Sequence, residues 1–246
     1  MIKHIELVNK DGRVLRGYLC EPENFTGELV VMFHGFTGNK TEHAGHFRTL
    51  SRMLDKEGIG SLRLDFSGNG ESDGEFTDFT FDTMIPEAKQ MVEFALNYPG
   101  VKKVDLLGFS MGGAVAGMMS SVYLDKINKV VLWSPAGQIV EHIKQRYEAR
   151  VKDEQGNAIG GAYSLSKAMY ESLDKYDVYK GLENFKNRVF IVQGFKDQAV
   201  PYITAMKYAT TYPNAHVHIV NTAGHGYDAL EEMNELYSKT MAFFKQ

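Results

Sequence analysis

The sequence predicts an α/β fold: one mostly parallel central sheet, helices on both faces, and an inserted lid. Three observations carry this. Short apolar runs alternate with amphipathic helical segments along the chain, as expected of strands buried on both faces and joined by crossover helices. The first two strand-like runs meet instead at Asp11-Gly12, a hairpin signal that predicts an antiparallel edge. One stretch, 136–187, lies between two strand signals and is too long for an ordinary connection. The chain of 246 residues suits a single domain of this class, large enough to bury roughly 70–75% of its unfolded surface without a disulfide or metal.

Residues 3–9 and 14–20 read as the hairpin strands, and 29–33 as an apolar strand that stops at His34-Gly35. Residues 44–56 have helical spacing, with Phe47, Leu50, Met53 and Leu54 on one face. A strand at 59–66 runs into a loop rich in Gly, Ser and Asp. A helix is expected over 83–96, where Ile85, Ala88, Met91, Val92 and Ala95 recur at helical spacing. Strands follow at 104–109, 130–133, 189–192 and 217–220, and helices at 110–123, 201–212 and 227–244. The interruption at 136–187 holds Gly160-Gly161 and five tyrosines, Tyr147, Tyr163, Tyr170, Tyr176 and Tyr179. Long inserted segments in compact domains tend to be functional, so it reads as a cap or lid; a crossover helix with a long surface loop is the alternative.

Composition excludes several classes. Apolar residues make up 43% and charged residues 24%, an ordinary globular balance. Lys+Arg 27 against Asp+Glu 31 gives a net charge of −4, which offers no basic surface for nucleic acid. Cys20 is the one cysteine, so no internal disulfide forms, and no Cys/His cluster has zinc spacing. The first 19 residues lack the apolar stretch of a signal peptide, and no apolar run is long enough for a membrane span. The expectation is a soluble protein of a reducing compartment, the cytoplasm.

The strongest chemical signal is Gly108-Phe109-Ser110-Met111-Gly112. As a bare G-x-S-x-G pattern it is weak; its setting gives it weight. A strand enters it, and a helix of small residues (Gly113, Ala114, Ala116, Gly117) leaves it. A sharp strand–turn–helix displays a serine hydroxyl above a sheet, strains the serine backbone and demands small flanking residues. The helix start also turns the Met111 N–H toward the point where an oxyanion would form.

A serine hydroxyl needs a base. Of the eight histidines, His4, His216 and His218 lie in strands, His142 in the insertion, and His43 and His46 by the first helix. His225 sits in Gly224-His225-Gly226, after a strand and before the last helix, on the side of the sheet that carries Ser110. Asp197 follows an earlier strand and can orient that imidazole; Asp228 is the runner-up. The second oxyanion donor is expected from His34-Gly35-Phe36-Thr37-Gly38, with Phe36 N–H as the candidate and His34 as the residue that orients the loop. The loop 65–72 is glycine-rich but lacks the Gly-Lys-Ser/Thr ending of a phosphate-binding loop, and reads as a tight turn.

The elbow, the His-Gly-Phe loop, the Asp-x-x-Gly-x-Gly-x-Ser loop, Asp197 and His225 together resemble the α/β-hydrolase superfamily over the whole chain. More narrowly, His34-Gly35-Phe36-Thr37-Gly38-Asn39-Lys40 and residues 65–73 are similar to bacterial cinnamoyl (feruloyl) esterases. The resemblance implies a serine esterase acting on small-molecule carboxylic esters, with hydroxycinnamates foremost and no cofactor or metal. It implies a lid after the sixth core strand that holds the phenolic ring. On that basis Tyr163 and Tyr170 are candidates for the aromatic pocket, and Gln138 and Gln145 for a hydroxyl partner. Met111 stands where several members carry Gln; the donor there is a backbone N–H, so the change is tolerable. Monoacylglycerol lipases and short-chain carboxylesterases share most of these motifs. A peptidase, a perhydrolase or a slow-turnover sensor could use the same scaffold. An exposed apolar lid could also pair two copies as a homodimer.

Overall fold

Apolar runs at the centre of the sheet and alternating runs toward its edges become eight strands because each can bury a face and pair its backbone. The computed structural model describes residues 1–246. Strands β1 (Ile2–Val8), β2 (Val14–Cys20), β3 (Glu28–Phe33) and β4 (Gly60–Leu64) precede β5 (Lys103–Phe109), β6 (Ile127–Trp133), β9 (Arg188–Gly194) and β10 (Ala215–Val220). The short hairpin β7 (Val151–Lys152) and β8 (Ala158–Ile159) stands apart. The large sheet has the order β1-β2-β4-β3-β5-β6-β9-β10. β1 pairs antiparallel with β2, and β2 with β4; every other pairing is parallel. The α/β-hydrolase expectation of a mostly parallel sheet with an antiparallel edge is met.

Successive residues of a strand point to opposite faces, so a strand covered on both sides is apolar throughout. β3 does this: Val31 and Phe33 join one buried cluster, Val30 and Met32 the other. Helices α2 (Phe81–Leu96), α3 (Met111–Val122) and α6 (Tyr202–Thr211) cover the first face. Helices α1 (His46–Lys56) and α7 (Leu230–Phe244) cover the second, through Phe47, Leu50, Leu54, Leu236, Tyr237 and Met241. No helix is long and apolar enough to cross a membrane.

Two helices begin two or three residues later than predicted, each for a backbone reason. α1 begins at His46 rather than Ala44, because Ala44 (φ 50°) and Gly45 (φ 75°) take left-handed conformations that close a separate short turn. α7 begins at Leu230 rather than Tyr227. Tyr227 has φ 51°, and its buried hydroxyl donates to the Val192 carbonyl at 3.0 Å, which holds the preceding loop to the end of β9.

Residues 136–187 fold as α4 (Ile139–Glu148), the β7–β8 hairpin, α5 (Lys167–Ser172) and two short 3-10 turns. Ile139, Ile143, Leu165, Met169 and Leu173 join the cluster that α2 and α3 form. Polar contacts tie the segment to the start of α2: Lys175 pairs with Asp82 at 2.5 Å, and the Tyr176 hydroxyl donates to the same carboxylate at 2.8 Å.

Far from any loop of interest, Asp105 is buried in β5, with one carboxyl oxygen accepting from Asn128 Nδ2 at 2.8 Å and the other unpartnered. Burial, reinforced by the neighbouring Glu28, pushes this carboxyl well above its ordinary range. Such a group binds its proton more tightly when folded, so it subtracts stability as pH rises from the ordinary carboxylate range toward its folded value. Asp105→Asn keeps the shape and removes the titration. Its melting temperature should exceed that of the wild type at pH 8, and the gap should narrow toward pH 4 when followed by scanning calorimetry.

Candidate active site

β5 delivers the chain to a turn only one residue long. Ser110 has φ 55° and ψ −118°, and Met111 is already helical. A non-glycine residue held there stores on the order of 1–3 kcal/mol. Close approach explains the surrounding glycines. A Cβ on Gly108 would lie 1.9 Å from the Gly112 carbonyl oxygen, and one on Gly112 would lie 1.9 Å from the Phe33 oxygen. Gly113 would meet Pro135 Cα at 2.9 Å. The turn is anchored from β6: Ser110 N–H donates to the Trp133 carbonyl at 2.9 Å, and the Ser110 carbonyl accepts from Ala136 N–H at 2.9 Å.

His225 and Asp197 arrive from the loops after β10 and β9. His225 Nε2 lies 3.0 Å from Ser110 Oγ, and its Nδ1 lies 2.7 Å from Asp197 Oδ2. Asp197 also accepts from Gln193 Nε2 at 3.0 Å and from the Ala199 and Val200 N–H groups at 2.9 and 2.8 Å. Burial pushes its carboxyl up, but the hydrogen bond and charge of His225, helped by the Val200 and Gln193 donors, outweigh that, so the net displacement is downward. Asp197 is therefore a carboxylate across the neutral range. The imidazole is steered from behind: the Phe109 ring lies 5.0 Å away, and His46 Nε2 donates to the Gly226 carbonyl at 2.7 Å. Asp228, the runner-up acid, points elsewhere and contacts His43 Nε2 at 2.6 Å.

The loop after β3 is held open toward the serine. The Gly35 N–H donates to Glu42 at 2.6 Å, while His34 Nδ1 bonds the Gly35 carbonyl at 2.9 Å and His34 Nε2 accepts from Phe66 N–H at 3.1 Å. His34 thus orients the loop. A Cβ on Gly35 would touch Ser110 Cβ at 3.4 Å, so the two loops lie against each other. Neither the Phe36 N–H nor the Met111 N–H, the first donor of α3, has a protein acceptor.

Two cavities meet at Ser110 and His225. One, about 260 Å³, runs under α4 between Phe36, Ile139, Ile143, Tyr163, Leu165 and Val200. The other, about 430 Å³, is an open polar crevice along Gly35–Asn39 that includes Glu42, His43 and Asp228. The structure brings Tyr163 to the first cavity, where its ring lies 4.6 Å from Phe76. It does not bring the other three lid candidates there. Gln138 and Gln145 occupy the opposite face of α4 and line a separate cavity of about 650 Å³ with Tyr179 and Lys207. Tyr170 stacks on Tyr147 at 4.4 Å and donates its hydroxyl to Glu148 at 2.9 Å. Residues that the motifs did not mark, Ile139, Ile143, Arg146 and Arg150, line the serine cavity instead. Their spacing of four, three and four is the signal that reveals them.

Fold and site together define an α/β hydrolase with a serine at its elbow. The chain belongs to the serine aminopeptidase S33 family, whose model matches residues 26–174. It is 35% identical over 127 residues to a serine hydrolase-like protein of Danio rerio, covering 50% of this chain and 35% of that one. It is 33% identical over 131 residues to the monoglyceride lipase of Homo sapiens, covering 52% and 42%. These matches span less than half the length of either relative. Among solved structures, ferulic-acid-bound Est1E from Butyrivibrio proteoclasticus superposes with a TM-score of 0.85 at 24% identity, covering 98% of this chain and 97% of that one. The Pyrococcus furiosus esterase Pf2001 gives 0.74 at 24%, covering 100% and 90%. These last two likenesses are of fold.

The glycine contacts separate folding from chemistry. Gly112→Ala should cost ~3 kcal/mol or more in denaturant unfolding, because backbone must move. Gly35→Ala should change stability by less than about 1 kcal/mol, since its methyl makes an ordinary contact, yet it should slow ester hydrolysis by crowding Ser110.

Proposed function

We propose that this protein is a serine carboxylesterase that works through an acyl-enzyme, with hydroxycinnamate esters as its substrates. The observation that carries the reading is the unbroken chain Ser110 Oγ, His225, Asp197, with links of 3.0 and 2.7 Å. In this reading Ser110 Oγ attacks the ester carbonyl as its proton passes to His225 Nε2. Asp197 holds the Nδ1–H tautomer and offsets the charge of the imidazolium. The Phe36 and Met111 N–H groups receive the oxyanion; removing one such donor costs about 2.7–4 kcal/mol in other enzymes. His225 then returns the proton to the leaving alkoxide, and the alcohol departs. Water, activated by the same imidazole, attacks the acyl carbonyl and frees the acid. No step calls on a cofactor or metal.

The aromatic acyl group is supported by the walls of the cavity under α4, where Phe36 and Tyr163 flank an aliphatic floor of Ile139, Ile143 and Leu165. The fold likeness to an esterase solved with ferulic acid agrees with it. Segment 136–187 acts as a lid over this cavity, and the protein is a soluble cytoplasmic enzyme. Longer acyl chains are the second reading, favoured by the similarity to a monoglyceride lipase.

A substrate panel tests the proposal. Wild type should release acid steadily from methyl ferulate and methyl caffeate, and faster than from a monoacylglycerol. Ser110→Ala should lower hydrolysis of a short p-nitrophenyl ester by about 10³-fold or more. Full activity in that variant would remove the serine from the mechanism, and a preference for monoacylglycerol would favour the second reading.

A further inference from the structure

The two cavities that meet at Ser110 differ sharply in charge. The cavity under α4 contains Arg146 and Arg150 and no carboxylate. The open crevice contains Glu42 and Asp228 and neither Lys nor Arg. Neither arginine is paired with an acid within 4 Å: Arg146 is exposed, and half-buried Arg150 donates Nη1 to the Tyr163 carbonyl at 3.0 Å. A cation near a helix C-terminus is favoured by the helix dipole, which accounts for an arginine in the last turn of α4. It does not account for the second arginine, half-buried Arg150, lining the same cavity.

Their order along the helix carries the argument further. Ile139, Ile143 and Arg146 share one face of α4, and Arg150 continues it beyond the helix end. Ala136, just before the helix, is bonded to the Ser110 carbonyl, so the N-terminal end of α4 is the end near the nucleophile. Moving away from Ser110, the wall is therefore first apolar and then cationic, with Arg146 about 10 Å along the helix from Ile139.

We infer that the site prefers, over a neutral hydroxycinnamate, an ester whose acyl half is apolar next to its carbonyl and ends in an anion, a carboxylate foremost. The apolar portion lies against Ile139 and Ile143, and the anion meets Arg146 and Arg150. A planar carboxylate suits the guanidinium fork, which can donate two parallel hydrogen bonds. The acidic crevice on the other side of Ser110 repels the same group and so fixes the orientation of the ester. This deepens the carboxylesterase reading and rests on it.

The test uses two p-nitrophenyl esters of the same shape, those of 4-carboxycinnamic acid and 4-carbamoylcinnamic acid, which differ only in the charge at the far end. At low ionic strength, wild-type kcat/KM should favour the carboxylate by about 10- to 100-fold. The ratio should shrink as salt is added. In the double variant R146Q/R150Q, whose folding is checked by its melting temperature, the ratio should fall to about one. Equal or faster turnover of the amide by wild type overturns the inference and leaves the carboxylesterase reading intact. So does a preference that survives in R146Q/R150Q. Turnover of neither ester overturns both.

Discussion

The structure turns on a steric constraint. Ser110 can be held at φ 55° between β5 and α3 only if strand and helix approach almost to backbone contact. The absent side chains at Gly108, Gly112 and Gly113 permit that approach, since any Cβ there would enter a neighbouring main chain or the Pro135 ring. The strain is repaid by packing: Met111, Ala114, Val115 and Ala116 are fully buried against the sheet, so α3 cannot relax outward. The sheet thus converts burial energy into a fixed position for one hydroxyl.

That hydroxyl is useful only if three loops from other strands stop beside it. Each is locked by a buried polar residue. Asp65, after β4, accepts from the Lys40 main chain at 2.5 Å, from Lys40 Nζ at 2.7 Å and from Glu71 N–H at 2.8 Å. It joins the loop after β3 to the one after β4. Gly70 is required there, because a Cβ would lie 2.2 Å from the Asp65 carboxylate. Glu87 of α2 accepts from both the N–H and the hydroxyl of Ser67. Tyr227 and Ser134 tie the His225 loop to the ends of β9 and β6 through a 2.9 Å contact between their hydroxyls and the Tyr227–Val192 bond. The glycine-rich loop at 65–72 is thus the clamp that holds the Phe36 loop in place.

How much of this could be read in the sequence depends on the range of the force involved. The elbow was legible because its constraint is local: five residues and the small residues after them encode it. Asp197 and His225 were legible because a parallel sheet sends every loop after a strand to one edge. The start of α1 was not, because Ala44 takes a conformation that its own chemistry disfavours and that only its surroundings impose. Nor was Gln193, a strand residue whose amide turns out to support Asp197. In the sequence only the ring of Tyr170 marks it, and its partner is decided by packing on Tyr147.

The glutamines are a different case, because local periodicity already contained the answer. At 3.6 residues per turn, Gln138, Glu141 and Gln145 share one face of α4, and Ile139, Ile143 and Arg146 the other. The helix is a partition: the first face opens on the large polar cavity beside Tyr179, the second on the serine. His142 sits at the seam and lines both. A polar partner that α4 itself offers a bound acyl group must therefore come from the arginine end of the second face or from His142. The glutamines cannot supply it without a large rotation of α4 about its axis. Such a rotation would expose Ile139 and Ile143, whose burial holds the helix to the core. The apolar anchoring that fixes α4 therefore also selects which of its polar side chains can reach the cavity beside Ser110.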